Sequence, residues 1–167
     1  GSNRLRLVSS AGEALPEDIG NRFQQATGVE IIDGIGSTEM LHIFCSNRPG
    51  KVRYGSSGTP VPGYAARLLD DDGNEVPPGE IGELVISGPS AAEGYWLQRD
   101  KTRKTFRGAW THSGDKYRIG EDGNYYYCGR TDDMFKVSGI WVSPFEVESV
   151  LISHQAVLEA AVIGRAD

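Results

Sequence analysis

Apolar and polar residues follow one another with three different textures along this chain, and each texture predicts a different kind of element. Residues 5–9 read as a short strand. Pro16, Glu17 and Asp18 then open an amphipathic helix, because proline is already held at helical φ and acids complement the dipole of a first turn. Gly28 falls where that helix must end, and residues 29–32 read as a second strand. Two strands joined through one helix lie parallel with a right-handed crossover. The loops that leave them, 10–14 and 33–39, are therefore expected on one edge of the sheet, facing one crevice.

Beyond Asn47 the pattern shortens into alternating strands punctuated by Gly and Pro. Strands are expected at 64–69 and 82–87, with a turn at 70–73. Two more, at 116–119 and 124–128, flank Gly120-Glu121-Asp122-Gly123 as a hairpin. Together they predict a small antiparallel barrel or sheet. After Arg130 the order returns to mixed α/β: a strand at 134–137, a helix from Pro144 to about residue 152, and a strand at 157–163. That last stretch holds too few elements to close a core, and a parallel sheet of two strands with one helix leaves a face bare. The chain therefore reads as a fragment cut at both ends.

Composition then narrows the classes. The chain has 167 residues, 38% hydrophobic and 24% charged, with no apolar run near the length of a membrane helix, so no span is expected. Lys and Arg number 17 against 23 Asp and Glu, a net charge of -6, which argues against a nucleic-acid surface but leaves room for a local phosphate site. Cys45 and Cys128 stand far apart in no metal-ligand spacing, so neither a disulfide framework nor a zinc site is expected, and a reducing cytoplasm fits. No export signal is visible, and Gly1-Ser2 reads as a cloning remnant.

Four runs are candidates for chemistry. Ser37-Thr38-Glu39 follows Gly34-Ile35-Gly36 at a strand end, offering backbone NH groups and a hydroxyl to a phosphate and a carboxylate to Mg²⁺. Alone, it fits a glycine turn with a capping hydroxyl equally well. The small-residue run from Ser9 to Ala14 lets a flat base lie against backbone, and such loops are common elsewhere. In Trp110-Thr111-His112-Ser113-Gly114-Asp115 a carboxylate stands at a glycine turn before a strand, suited to ribose hydroxyls or to an ordinary turn. His112 has no partner acid placed by the sequence and reads as a surface or packing histidine. The run from Gly129 to Gly139 is placed as a linker between domains.

Taken jointly and in order, these runs resemble the adenylate-forming superfamily of acyl-CoA synthetases, luciferases and peptide-synthetase adenylation domains, and within it the benzoate-CoA ligases. The resemblance covers nearly the whole chain. It implies a division into residues 1–50, the C-terminal piece of a large nucleotide-binding α/β subdomain, 51–130, a small β-barrel-like subdomain, and 131–167, the incomplete start of a mobile C-terminal domain. Gly12, Glu13 and Ala14 resemble the stretch that lies against adenine. Residues 35–39 resemble the family's Tyr-Gly-x-Thr-Glu motif, so Ile35 and Gly36 would flank the nucleotide, Thr38 would bind its phosphate and Glu39 would help hold Mg²⁺. Asp115 resembles the acid on the ribose hydroxyls, Arg130 the base that reaches ribose or phosphate, and Asp132 the hinge. Lys136 and Gly139 resemble the segment presented to the acyl-adenylate after the C-terminal domain rotates. Gly34, Gly36, Leu41 and His42 would line the pocket for the acid.

There are departures. Ile35 stands where the motif usually has Tyr, a mark shared with benzoate-activating relatives, and Trp141 stands where many acyl-CoA synthetases carry Arg. The family's glycine-rich phosphate loop should precede residue 1, and its adenylating lysine should follow Asp167. The implied function is an acid-thiol ligase that uses ATP, Mg²⁺ and coenzyme A on benzoate or a substituted benzoate, with this piece alone inactive. The alternatives are an adenylation domain that loads a carrier-protein thiol and a non-catalytic interaction module.

Overall fold

A computed structural model describes residues 4–138 and 140–164. The chain opens with β1 (Val8–Ser10), α1 (Glu17–Thr27) and β2 (Ile31–Gly36). Helix α1 ends at Gly28, whose φ of 72° lets its NH turn back to Gln24 O. β1 and β2 pair in parallel, with Val8 opposite Ile31 and Ser10 opposite Asp33, as a strand-helix-strand unit requires. Gly20, the one buried residue of α1, lies under the Tyr54 ring, and the Tyr54 hydroxyl accepts from Ile31 NH at 3.2 Å. The helix is thereby pinned to the sheet.

The sheet does not stop at two parallel strands. A 3₁₀ turn at Thr38–Met40 reverses the chain, so that β3 (Ile43–Ser46) returns antiparallel beside β2 and β4 (Thr59–Pro60) adds to β3. The segment 33–36, expected as loop, belongs to β2. Its glycines keep the strand narrow enough for β3 to approach, and β3 supplies the hydrogen-bond partners.

The second sheet is antiparallel, built from β5 (Ala65–Leu69), β6 (Gly82–Ser87), β7 (Phe106–Arg107), β8 (Trp110–Ile119) and β9 (Tyr125–Arg130). β6 runs along one edge of β8, and β7 and β9 share the other. Between β6 and β7 lies a short helix, α2 (Arg99–Thr105), which the sequence pattern did not predict because its charged residues show no apolar periodicity. Asp115, expected in a turn before a strand, sits inside the long β8. Gly114 takes φ 72°, but β6 and β9 supply partners on both sides, so the strand runs through.

The C-terminal part contains a hairpin of β10 (Phe135–Val137) with β11 (Ile140–Val142), then α3 (Pro144–Ile152). The strand expected at 157–163 is absent, since no described neighbour offers it a ladder of backbone groups; Val162 NH is taken by the Glu148 carboxylate instead, at 2.8 Å. The core joins the two sheets. Met40 of the 3₁₀ turn and Phe44 of β3 pack with Leu68, Leu84, Ile86 and Tyr117 of the second sheet, all nearly inaccessible. Among the described residues no helix is long and apolar enough to cross a membrane.

Candidate functional site

The sheets meet along a cleft of about 940 Å³. Its lining comes from the loop after β1 (Gly12, Glu13, Ala14), from 33–39 of β2 and the 3₁₀ turn, from Ser113, Gly114 and Asp115 of β8, and from Arg130, Thr131 and Asp132. Parallel pairing of β1 and β2 puts the first two groups on one sheet edge. The β8–β9 pairing brings in the others.

Asp115 and Arg130 are opposite one another in that pairing, with Arg130 Nη1 2.8 Å from Asp115 Oδ1. Burial pushes the Asp115 carboxyl above its ordinary value, the Arg130 charge and hydrogen bond pull it back, and the nearby carboxylates of Glu39 and Glu83 add to the upward push. The Asp115 carboxyl thus senses two further acids across the cleft, and hydroxyl donors from a ligand would stabilise its charged form.

Glu39 follows Ser37, which caps the 3₁₀ turn by accepting from Met40 NH, and Thr38. Burial acts to raise the Glu39 carboxyl, but hydrogen bonds, chiefly from the Tyr95 hydroxyl, and the Lys101 charge together bring it below its ordinary value. It is ionised at neutral pH. Among the described residues no cluster of three His, Cys, Asp or Glu side chains could cage a metal. One carboxylate at a cleft suits Mg²⁺, which is commonly shared with phosphate oxygens and water.

Asp33 is a further acid that the motif reading left out. It is 3% exposed, lines the cleft, and has its Oδ1 buried without a hydrogen-bond partner. Burial raises its carboxyl, against donation from Leu15 NH, the Ser10 hydroxyl and Gly34 NH. An orphaned buried acceptor beside the small-residue loop calls for a donor from a ligand. His112, expected without an acid, has one: its Nδ1 lies 3.0 Å from Glu83 Oε2, and both residues line the cleft. The pair is contributed by adjacent strands β6 and β8, a proximity that sequence separation hides. Lys101, Lys104 and Arg107, on and just beyond α2, add cations to the lining.

Not every candidate converges. Gly34, Ile35 and Gly36 line the cleft, but Leu41 is 77% exposed, and His42 bonds the Tyr64 hydroxyl at 2.8 Å; neither of the two lines it. Lys136 is a position of β10 opposite Trp141. Gly139 lies outside the described residues.

A family described as AMP-binding enzyme matches residues 1–96, more than half of the chain. The chain belongs to the AMP-binding enzyme family. Similar to this AMP-binding chain is a benzoate-CoA ligase of Thauera aromatica, 64% identical over 168 residues, which cover 100% of the chain and 32% of the relative. A 4-hydroxybenzoate-CoA/benzoate-CoA ligase of Rhodopseudomonas palustris is 59% identical, with 99% and 31% covered. Among solved structures, an anthranilate CoA ligase in complex with anthranoyl-AMP superposes with a TM-score of 0.92 at 56% identity, over 96% of the chain and 31% of the other. A benzoate CoA ligase from Burkholderia xenovorans LB400 gives 0.90 at 58%, over 98% and 32%. The AMP-binding chain thus spans about a third of the length of these relatives.

Proposed function

We propose that this chain is part of an ATP-dependent acid-CoA ligase that converts benzoate, or a substituted benzoate, to its CoA thioester. The observation that carries this reading is the meeting of Gly12, Thr38, Glu39, Asp115 and Arg130 in one cleft, in a chain 64% and 59% identical to proteins named benzoate-CoA ligases.

The roles follow from chemistry. The loop of Gly12, Glu13 and Ala14, with Ile35 and Gly36, makes flat walls for the adenine, and the orphaned Oδ1 of Asp33 takes a hydrogen bond from its 6-amino group. Asp115 accepts from the ribose hydroxyls, and Arg130 both holds that carboxylate and neutralises charge beside it. Thr38 donates to a phosphate oxygen. Glu39 supplies one ligand to Mg²⁺, which when bound withdraws charge from the phosphates. In the first half-reaction an oxygen of the benzoate attacks the α-phosphorus and the bond to pyrophosphate breaks. In the second, the CoA thiolate attacks the acyl carbon of the aryl-adenylate and AMP leaves. Both transition states gather negative charge on oxygen, so fixed donors and cations do the catalytic work and no protein nucleophile is required.

The finer assignments belong to the same proposal. Residues 1–50, 51–130 and 131–167 are taken as parts of three successive domains, with Asp132 as hinge and Lys136 on the segment that rotates toward the adenylate. Gly34 and Gly36 are taken as pocket residues for the acid, where glycine backbone makes a slot for a flat ring, while Leu41 and His42, which do not line the cleft, are left out of that slot. Turnover by the full-length protein tests the whole reading: benzoate is expected to outrun acetate and a long-chain fatty acid, and ATP to outrun GTP, which lacks the 6-amino donor. Preference for either aliphatic acid would sink it.

A further inference from the structure

Tyr95 makes a contact that these roles leave unused. Its hydroxyl donates a hydrogen bond to Glu39 Oε1, across 56 positions of sequence. The donor is itself immobilised. Tyr95 NH donates to Thr102 Oγ1 at 2.9 Å, the ring centroid lies 5.6 Å from that of Phe106, and Lys101 Nζ sits 4.2 Å from the ring centroid. Gly94 makes the approach to α2 possible, because a Cβ there would come within 2.6 Å of the Thr102 side chain. The same segment also holds Glu39 by its backbone, through Ala92 NH to Glu39 O at 2.8 Å.

A glutamate on a short turn has three rotatable side-chain bonds, and a cation site built on it loses affinity to every rotamer that points elsewhere. A rigid donor on one carboxylate oxygen removes that freedom before the ligand arrives, as outer partners of metal-binding carboxylates do. We infer that Tyr95 is a positioning residue for Glu39, holding its carboxylate in the orientation from which it takes a divalent cation shared with the phosphates of the nucleotide. The inference rests on the reading of Glu39 as the Mg²⁺ ligand. Lys101 has a second part in it: stacked on the Tyr95 ring, it keeps that ring in place and a positive charge near the phosphates.

Tyr95→Phe removes only the donor oxygen, keeping the ring and the NH bond to Thr102. The readout is Mn²⁺ binding to the full-length protein, followed by electron paramagnetic resonance in the presence of a non-hydrolysable ATP analogue. In Tyr95→Phe the half-saturating Mn²⁺ concentration is expected to rise about tenfold, while melting temperature and benzoate affinity stay at wild-type values. Thr102→Val, which frees the backbone of Tyr95, should shift Mn²⁺ binding in the same direction by a smaller factor. Glu39→Gln should weaken it at least as much as Tyr95→Phe does. Wild-type Mn²⁺ binding in Tyr95→Phe beside a clear loss in Glu39→Gln overturns the role of Tyr95 and leaves that of Glu39 standing. Wild-type binding in Glu39→Gln overturns the Mg²⁺ reading itself and the inference with it. Equal weakening of Mn²⁺ and benzoate binding in Tyr95→Phe, with a lowered melting temperature, marks Tyr95 as merely structural and also overturns it.

Discussion

At the scale of single residues, Asp115 shows how one neighbour tempers the cost of burial. Its carboxyl titrates above the ordinary value of 3.8, burial being the main cause and Arg130 the main opposing one. The sign follows directly. Well below 3.8 the group is protonated in both folded and unfolded chains and costs nothing. As pH rises through 3.8 toward the folded value the unfolded chain ionises first, so stability falls, and the full cost persists above that value. Arg130→Gln removes the opposing charge, so the Asp115 midpoint, read by carbon-13 NMR of its carboxyl, should move further up. Because Arg130 is 50% exposed, the loss of stability at neutral pH should be modest, about 1 kcal/mol or less, and should vanish in acid, as urea titrations at the two pH values would show. An unmoved midpoint would mean that the pair does not set it. The two residues were legible as candidates. Their contact was not, because it depends on which residue of β9 faces Asp115 across the ladder.

At the scale of elements, α3 shows what a cap does beyond its own helix. Ser143 accepts from Glu146 NH at 3.0 Å, stopping an orphaned helical donor, while its hydroxyl donates to Cys128 O on β9. It is 4% exposed, and beside it Tyr127 and Phe145 meet edge to face at 5.2 Å. Ser143→Ala should therefore lose both bonds, leave a buried carbonyl without a donor, and cost about 1–2 kcal/mol. Thermal unfolding measures the loss, and faster hydrogen exchange at Glu146 NH assigns it to the cap. Equal melting temperatures would show the cap to be idle. The helix itself was readable, since Pro144 after a serine is a local signal. α2 and β3 were not. A run of charges in α2 hides any apolar face, and β3 is a strand only because the 3₁₀ turn returns it to β2.

At the scale of the molecule, the cleft is made by bringing two sheets together. One contributes the loop after β1 and the 33–39 run, the other contributes Asp115 and Arg130, and the shared core of Met40, Phe44, Leu84 and Tyr117 sets their separation. Since the chain spans about a third of its relatives' length, complete turnover belongs to the longer protein proposed above. The isolated 167 residues are expected to give no pyrophosphate exchange with benzoate and ATP; a robust exchange signal would overturn that expectation. The Cys45 and Cys128 thiols should not interfere with such assays, because burial pushes each up to about 12 and keeps it protonated.

Local signals determined much of this protein by themselves. The α1 boundaries, the β8–β9 hairpin turn, the start of α3 and the short runs around Gly12, Glu39, Asp115 and Arg130 all depend on a few adjacent residues, whose backbone preferences do not need the rest of the chain. Tertiary structure alone decided the contacts between distant segments: Tyr95 on Glu39, Glu83 on His112, the unpartnered oxygen of Asp33, and the absence of a strand at 157–163. Hydrogen bonds and burial of this kind are properties of pairs, and a pair exists only once register and packing have brought its members together.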